Sequence, residues 1–162
     1  MQQKLLLPFL ATGFALFVSA MRAEQHEDGD KGGVHARETA KETAQTFLKA
    51  AKGKDLDALV KLTDIPWFDD GTQIIKDRAK LKELLKSAWV DFADDERFPS
   101  KIVRVATFRE SRHMFQGQRQ ELADEVLAKD DWVVFLGRDG KSKGMLFVRL
   151  RDNRAKVVGA AQ

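Results

Sequence analysis

Apolar residues recur along this chain with two different periods, and the change from one to the other marks its elements. From Ala36 onward Ala40, Ala44, Phe47, Leu48 and Ala51 fall at i, i+4, i+7, i+8 and i+11, one helical stripe, and Gly53 stands where a glycine ends such a helix. Asp55 is placed to cap a second, shorter helix carrying Leu56, Leu59, Val60 and Leu62. Ile65-Pro66 closes it, because the residue before a proline is held out of the helical region. Trp67 to Ile75 reads as two short extended pieces about an Asp70-Gly71 turn. Asp77 then caps a third helix, whose Leu81, Leu84, Leu85, Ala88, Trp89 and Phe92 recur at i, i+3, i+4, i+7, i+8 and i+11.

Beyond Pro99 the period becomes two. Ile102 to Phe108 alternates as a strand, and Gln118 to Lys129 carries a weak helical pattern through Leu122, Val126 and Leu127. The stretch from Asp131 to Ala161 holds three β-rich runs, beginning at Trp132, Met145 and Ala155, with turn residues at Asp139-Gly140 and Asp152-Asn153. Three such runs in succession predict an antiparallel meander. Helices segregated to one side of a mainly antiparallel sheet make an α+β domain.

The N-terminus follows neither period. Lys4, the apolar run Leu5 to Val18 and the small residues Val18-Ser19-Ala20 predict a secretory signal peptide over 1–20, cleaved after Ala20 or Ala23. The alternative is an uncleaved anchor, for which the 14-residue run is short. Residues 21–35 are polar and Gly-rich and read as a disordered leader, leaving 36–162 as a single domain. The expected location is therefore secreted or periplasmic, with no stable membrane span after cleavage.

Composition narrows the function classes. Lysine and arginine number 28 against 25 acids, a net charge of +3, and the two signs are interleaved, so no basic face for nucleic acid is expected. The chain has no cysteine, which excludes disulfides, a thiolate nucleophile, a Cys-ligated metal and a lipid-modified N-terminal cysteine.

The run from Phe47 to Leu59, helix, Gly53-Lys54-Asp55 turn and second helix, together with the closing Trp132, Val148 and Val157-Val158-Gly159 strands, resembles the nuclear transport factor 2-like (SnoaL-like) superfamily. The resemblance implies a cone-like curved antiparallel sheet packed against N-terminal helices, with an internal pocket. The helix expected over 118–129 departs from the pattern of many members, in which strand follows strand directly.

Few residues invite chemistry. His113, the only histidine after residue 36, lies in a polar stretch and reads as an exposed loop residue. Gly140-Lys141-Ser142 mimics the end of a P-loop, but Phe135 stands where its first glycine is required and the stretch joins strands. His26, Asp28, Asp30 and His35 lack ligand spacing, Asp94-Asp95-Glu96 and Asp130-Asp131 read as charges at element ends, and no metal site or cofactor is expected. Asp69-Asp70 beside Trp67-Phe68 could bind a cation or supply a base, or serve only as turn residues. Arg149 follows Met145 and Phe147 on one strand parity, and Arg151 continues it, which favours emergence into solvent.

No acid, base and nucleophile converge, so no catalytic residue is assigned. The leading expectation is an exported, non-catalytic ligand- or partner-binding module. Its small apolar pocket is lined by Trp67, Trp89, Phe147 and Arg149, with Asp69 at the mouth, and takes a small amphipathic or anionic ligand. Two alternatives stand beside it: a SnoaL-like isomerase or cyclase using Asp69 or Asp70 as base, and an envelope protein-interaction domain. A homodimer through the sheet is a further partner reading.

Overall fold

The computed structural model describes residues 17–96, 98–99, 101–138, 141–152 and 154–161, with the side chains of 17–32 and 141–143 excepted. Most of the expected signal segment, residues 1–16, lies outside the described residues, as does the Asp139-Gly140 turn. The chain divides into two units, Met1–Val34 and His35–Gln162. Of the first, the helical backbone from Phe17 on is described; everything below concerns the second.

Helix α1 spans Phe17–Lys52, and its part in the second unit begins at His35. In its second half the predicted stripe is the buried face: Ala40, Ala44, Phe47 and Ala51 are fully buried. Helix α2 covers Leu56–Leu62, capped by the Asp55 side chain, which accepts from the Ala58 N–H at 2.9 Å. Strands β1 (Thr63–Asp69) and β2 (Gln73–Ile75) form the expected hairpin. A cis Ile65–Pro66 peptide lies in β1, where the register with its neighbour shifts between Thr63 and Phe68. A residue without an N–H is tolerated where the ladder is already broken.

Helix α3 spans Arg78–Leu85 and is capped by Asp77, whose carboxylate accepts from the Ala79 and Lys80 N–H groups. The single helix expected to reach Phe92 is interrupted there: Lys86–Val90 form a π-helical turn, closed by Asp91 N–H donating to Lys86 O at 2.8 Å. The inserted residue breaks the stripe after Leu85, leaving Ala88 exposed and Trp89 and Phe92 half-buried. Then come β3 (Lys101–Thr107), the short helix α4 (Phe108–Ser111), a 3-10 turn (Arg112–Met114), α5 (Gln118–Val126), and the meander β4 (Trp132–Arg138), β5 (Lys141–Arg151) and β6 (Arg154–Ala161). Thr107 and Glu110 make a reciprocal capping box at α4, and the Thr107 backbone N–H holds the Glu110 carboxyl below its ordinary range.

The architecture is α+β, with N-terminal helices packed against a six-stranded mixed, mostly antiparallel sheet of order β2-β1-β6-β5-β4-β3. Among the described strands only β1 and β6 run parallel. At their junction Gly159 packs under Phe68: a Cβ there would lie 2.7 Å from the Phe68 carbonyl oxygen and 3.1 Å from the Phe147 ring.

Helices cover both faces of this sheet, not one. Phe47, Leu59, Trp67, Leu81 and Leu85 pack with Val134, Leu136, Leu146, Val148 and Val157 on the first face. Phe108, Phe115, Ala123, Val126 and Leu127 pack with Phe68, Val133, Phe135, Phe147 and Val158 on the second. The reason is visible in β4, whose Val133, Val134, Phe135 and Leu136 are apolar on both parities. A strand of that kind needs two apolar layers, and α4 and α5 supply the second. Among the described residues no helix is long and apolar enough to cross a membrane.

Candidate functional site

At the end of the sheet where β1 and β6 finish and β5 begins, the π turn leans over the strands and leaves a groove of about 540 Å³. Its apolar wall is Trp89, Phe92, Phe98, Leu136 and Met145, its floor includes Gly144, Ala160 and Ala161, and Asp69 and Asp70 line its rim. The volume falls within the ~300–1,000 Å³ typical of small-molecule sites.

The wall is held in place from behind. The Trp89 ring meets Phe47 edge-on, centroids 4.8 Å apart at 86°, and meets Phe98 at 6.1 Å and 88°. Phe92 lies 6.4 Å from Phe98. Phe98 arrives on the loop after the π turn, which is folded back by Asp95 N–H donating to Phe92 O and Phe98 N–H donating to Asp95 O. Lys54 ties that loop to the turn between α1 and α2, its Nζ 2.5 Å from Asp94 Oδ2. On the far side of the same loop a wider groove of about 1160 Å³ mixes charges of both signs, with Lys41, Lys49, Lys52 and Lys101 facing Asp94, Asp95 and Glu96.

The rim is a tight turn. Asp70 and Gly71 both take left-handed backbone angles, φ 46° and 71°, and Thr72 N–H donates to Asp69 O at 2.9 Å. Asp70 N–H donates to Ala160 O at 2.8 Å, which fastens the turn to the end of β6. The Asp69 carboxylate accepts from Gln73 Nε2 at 2.9 Å, and Asp70 Oδ1 lies 3.6 Å from Arg119 Nη2. Asp69 is half-buried and Asp70 exposed, so neither occupies the desolvated setting of a buried catalytic acid.

The five residues singled out from the sequence are not gathered into one place. Asp69 and Trp89 line the groove. Trp67 lies two residues from Asp69 on the same face of β1, fully buried in the core, and its indole N–H meets no acceptor among the described residues. Phe147 belongs to the opposite face, stacked edge-on against Phe68 at 5.3 Å. Arg149, whose parity favoured emergence into solvent, turns inward instead. Its Nη2 lies 2.5 Å from Asp131 Oδ2 and 2.6 Å from the Val126 carbonyl oxygen, and its side chain is 12% exposed. A carboxylate and a carbonyl at the end of α5 offer a buried guanidinium better compensation than its own strand parity would.

His113 is exposed on the 3-10 turn. Among the described residues no cluster of three or more His, Asp or Glu side chains could hold a metal ion. Phe92, Phe98, Leu136, Met145 and Ala160 were not expected at the site. Their only sequence signal was apolarity, and the strand ends and the loop that bring them together are far apart along the chain.

No protein-family model matches the chain, and no curated protein matches it. Among solved structures it is similar to an NTF-2 like protein of unknown function from Burkholderia xenovorans LB400, with 17% identity and a TM-score of 0.39, over 77% of this chain and 82% of that one.

Proposed function

We propose that the protein is an exported, non-catalytic binding module, a secreted relative of the nuclear transport factor 2-like proteins, whose site is the aromatic-walled groove at the end of the sheet. One observation carries the reading: an apolar groove of about 540 Å³ is bounded by Trp89, Phe92 and Phe98, and among the described residues its charged lining is the carboxylates Asp69 and Asp70. Apolar walls with a few polar groups at the mouth suit a small amphipathic ligand. The rim's sign favours a ligand with a cationic or hydrogen-bond-donating end. An anionic ligand would meet like charge.

The test is a calorimetric titration with octylamine and octanoate, which share a tail and differ in the sign of the head. The expected result is saturable binding of the amine, weak or absent binding of the carboxylate, and loss of amine binding in Phe92→Asp. Asp69→Asn should lower amine affinity by about 1–2 kcal/mol, the scale of a partly exposed charge contact. Equal binding of both heads, or tighter binding of the octanoate, would count against this assignment.

Export has its own check, motivated by Lys4, the apolar run to Val18 and the Val18-Ser19-Ala20 pattern. The mature protein should begin at Met21 or Glu24 on N-terminal sequencing. An intact Met1 in a soluble cell fraction overturns it.

A further inference from the structure

We infer that Arg119 sets the charge the groove accepts, so that the ligand class is a monocationic amphiphile and not one with a dicationic head; the inference rests on the groove being the binding site. The two rim carboxylates are not equivalent. Asp69 is held by a neutral donor, the Gln73 side-chain amide, and keeps its full charge towards a ligand. Asp70 faces a cation, with Arg119 Nη2 3.6 Å from its Oδ1, so the two carboxylates and the arginine together offer about one net negative charge among the described residues.

Arg119 belongs to α5, on the second face of the sheet, and reaches the rim because three features of the chain let it. Its guanidinium carbon lies 5.5 Å from the Phe115 ring centroid, and Phe115 is itself buried against Phe68 and Phe147. Its stem crosses directly over Gly71, where a Cβ would stand 2.1 Å from Arg119 Cγ and 2.7 Å from Cδ. Any side chain at position 71 therefore displaces the arginine. The left-handed turn at Asp70-Gly71 carries the Asp70 carboxylate to the guanidinium.

An ion pair with side chains 32% and 52% exposed contributes little to folding. Its consequence is local: a second positive charge brought to the rim meets Arg119 in place of a free carboxylate. Arg119 is thus a positioning and specificity-determining residue that need not touch the ligand.

The experiment compares octylamine with N-octylpropane-1,3-diamine, equal tails under one or two ammonium groups, on the wild type, Arg119→Gln, Arg119→Lys and Asp70→Asn at neutral pH and low salt. The wild type should bind the monoamine at least as tightly as the diamine. Arg119→Gln should raise the diamine's affinity relative to the monoamine's by about tenfold, the scale of one uncovered rim charge, while Arg119→Lys keeps the wild-type ratio. Asp70→Asn should move the ratio the other way, and it keeps the test open if Arg119→Gln proves unstable on melting. An unchanged ratio in both Arg119→Gln and Asp70→Asn, with the monoamine still bound, overturns the role of Arg119 and leaves the groove standing. If neither amine binds the wild type, the groove assignment fails and this inference with it.

Discussion

Asp131→Ala should destabilise the domain by about 3–5 kcal/mol, the cost of leaving a buried ion without its partner. The Asp131 side chain is 4% exposed and receives Arg149 Nε at 3.0 Å on Oδ1 and Nη2 at 2.5 Å on Oδ2. The same carboxylate accepts the Ala128 N–H at 2.9 Å, and the Asp131 carbonyl accepts the Phe108 N–H at 2.7 Å. One residue therefore joins the end of α5, the start of α4 and strand β5. Domains of this kind are stable by only about 5–15 kcal/mol, so the variant should be close to unfolding at growth temperature. Urea denaturation at unchanged slope measures it. The double variant Asp131→Leu with Arg149→Met should recover much of the loss, since it removes both charges together. A single-variant cost below ~1 kcal/mol would mean that the pair is solvated and that α5 is held otherwise.

Phe47→Ala should be nearly as damaging, about 3–5 kcal/mol for a fully buried aromatic side chain. Phe47 is the largest member of the α1 stripe, with 0% exposure, and its ring is the edge-on support of Trp89. The effect should reach the groove as well. With its partner gone Trp89 is freer to turn, so octylamine binding by the folded fraction should weaken, whereas Leu59→Ala, equally buried but on α2 and outside the groove lining, should lower stability and leave binding unchanged. Loss of stability in Phe47→Ala without loss of affinity would separate the wall from the core and show that Trp89 is held by Phe98 alone.

What the linear pattern carried was local. The Ala40, Ala44, Phe47 and Ala51 stripe, the Asp55 and Asp77 caps and the Asp70-Gly71 turn each depend on neighbours within about four residues. Those elements appear where their spacing put them. The α+β class followed from their order. What escaped was non-local. Parity along a strand says which residues share a face but not which strand lies beside it, so the parallel pairing of β1 with β6 had no local sign. Burial of both sheet faces could have been read from the unbroken Val133-Val134-Phe135-Leu136 run, which an alternating half-exposed strand does not show. The π turn was invisible because a single inserted residue leaves the composition of the stripe unchanged. It redirects Trp89 and Phe92 to the groove.

The candidate site shows the same division. Asp69 and Trp89 were legible through turn chemistry and aromatic character, and both line the groove. Phe147 and Arg149 were expected with them from the pocket of the resembled fold, yet one packs on the opposite face of the sheet and the other pairs with a carboxylate 18 residues back along the chain. Arg119 drew no attention in a charged helix, and only the three-dimensional approach to Gly71 and Asp70 distinguishes it.

The three tryptophans make the central claim measurable in one spectrum. Trp89 lines the groove, Trp67 is fully buried two residues inside the rim, and Trp132 begins β4 away from it. Titrating octylamine into uniformly 15N-labelled protein should move the indole N–H resonance of Trp89, assigned by its loss in Trp89→Phe, in a saturable way, and leave Trp132 where it is. A titration in which Trp89 stays fixed while calorimetry still reports binding, or in which Trp132 moves as far as Trp89, would contradict the groove as the site.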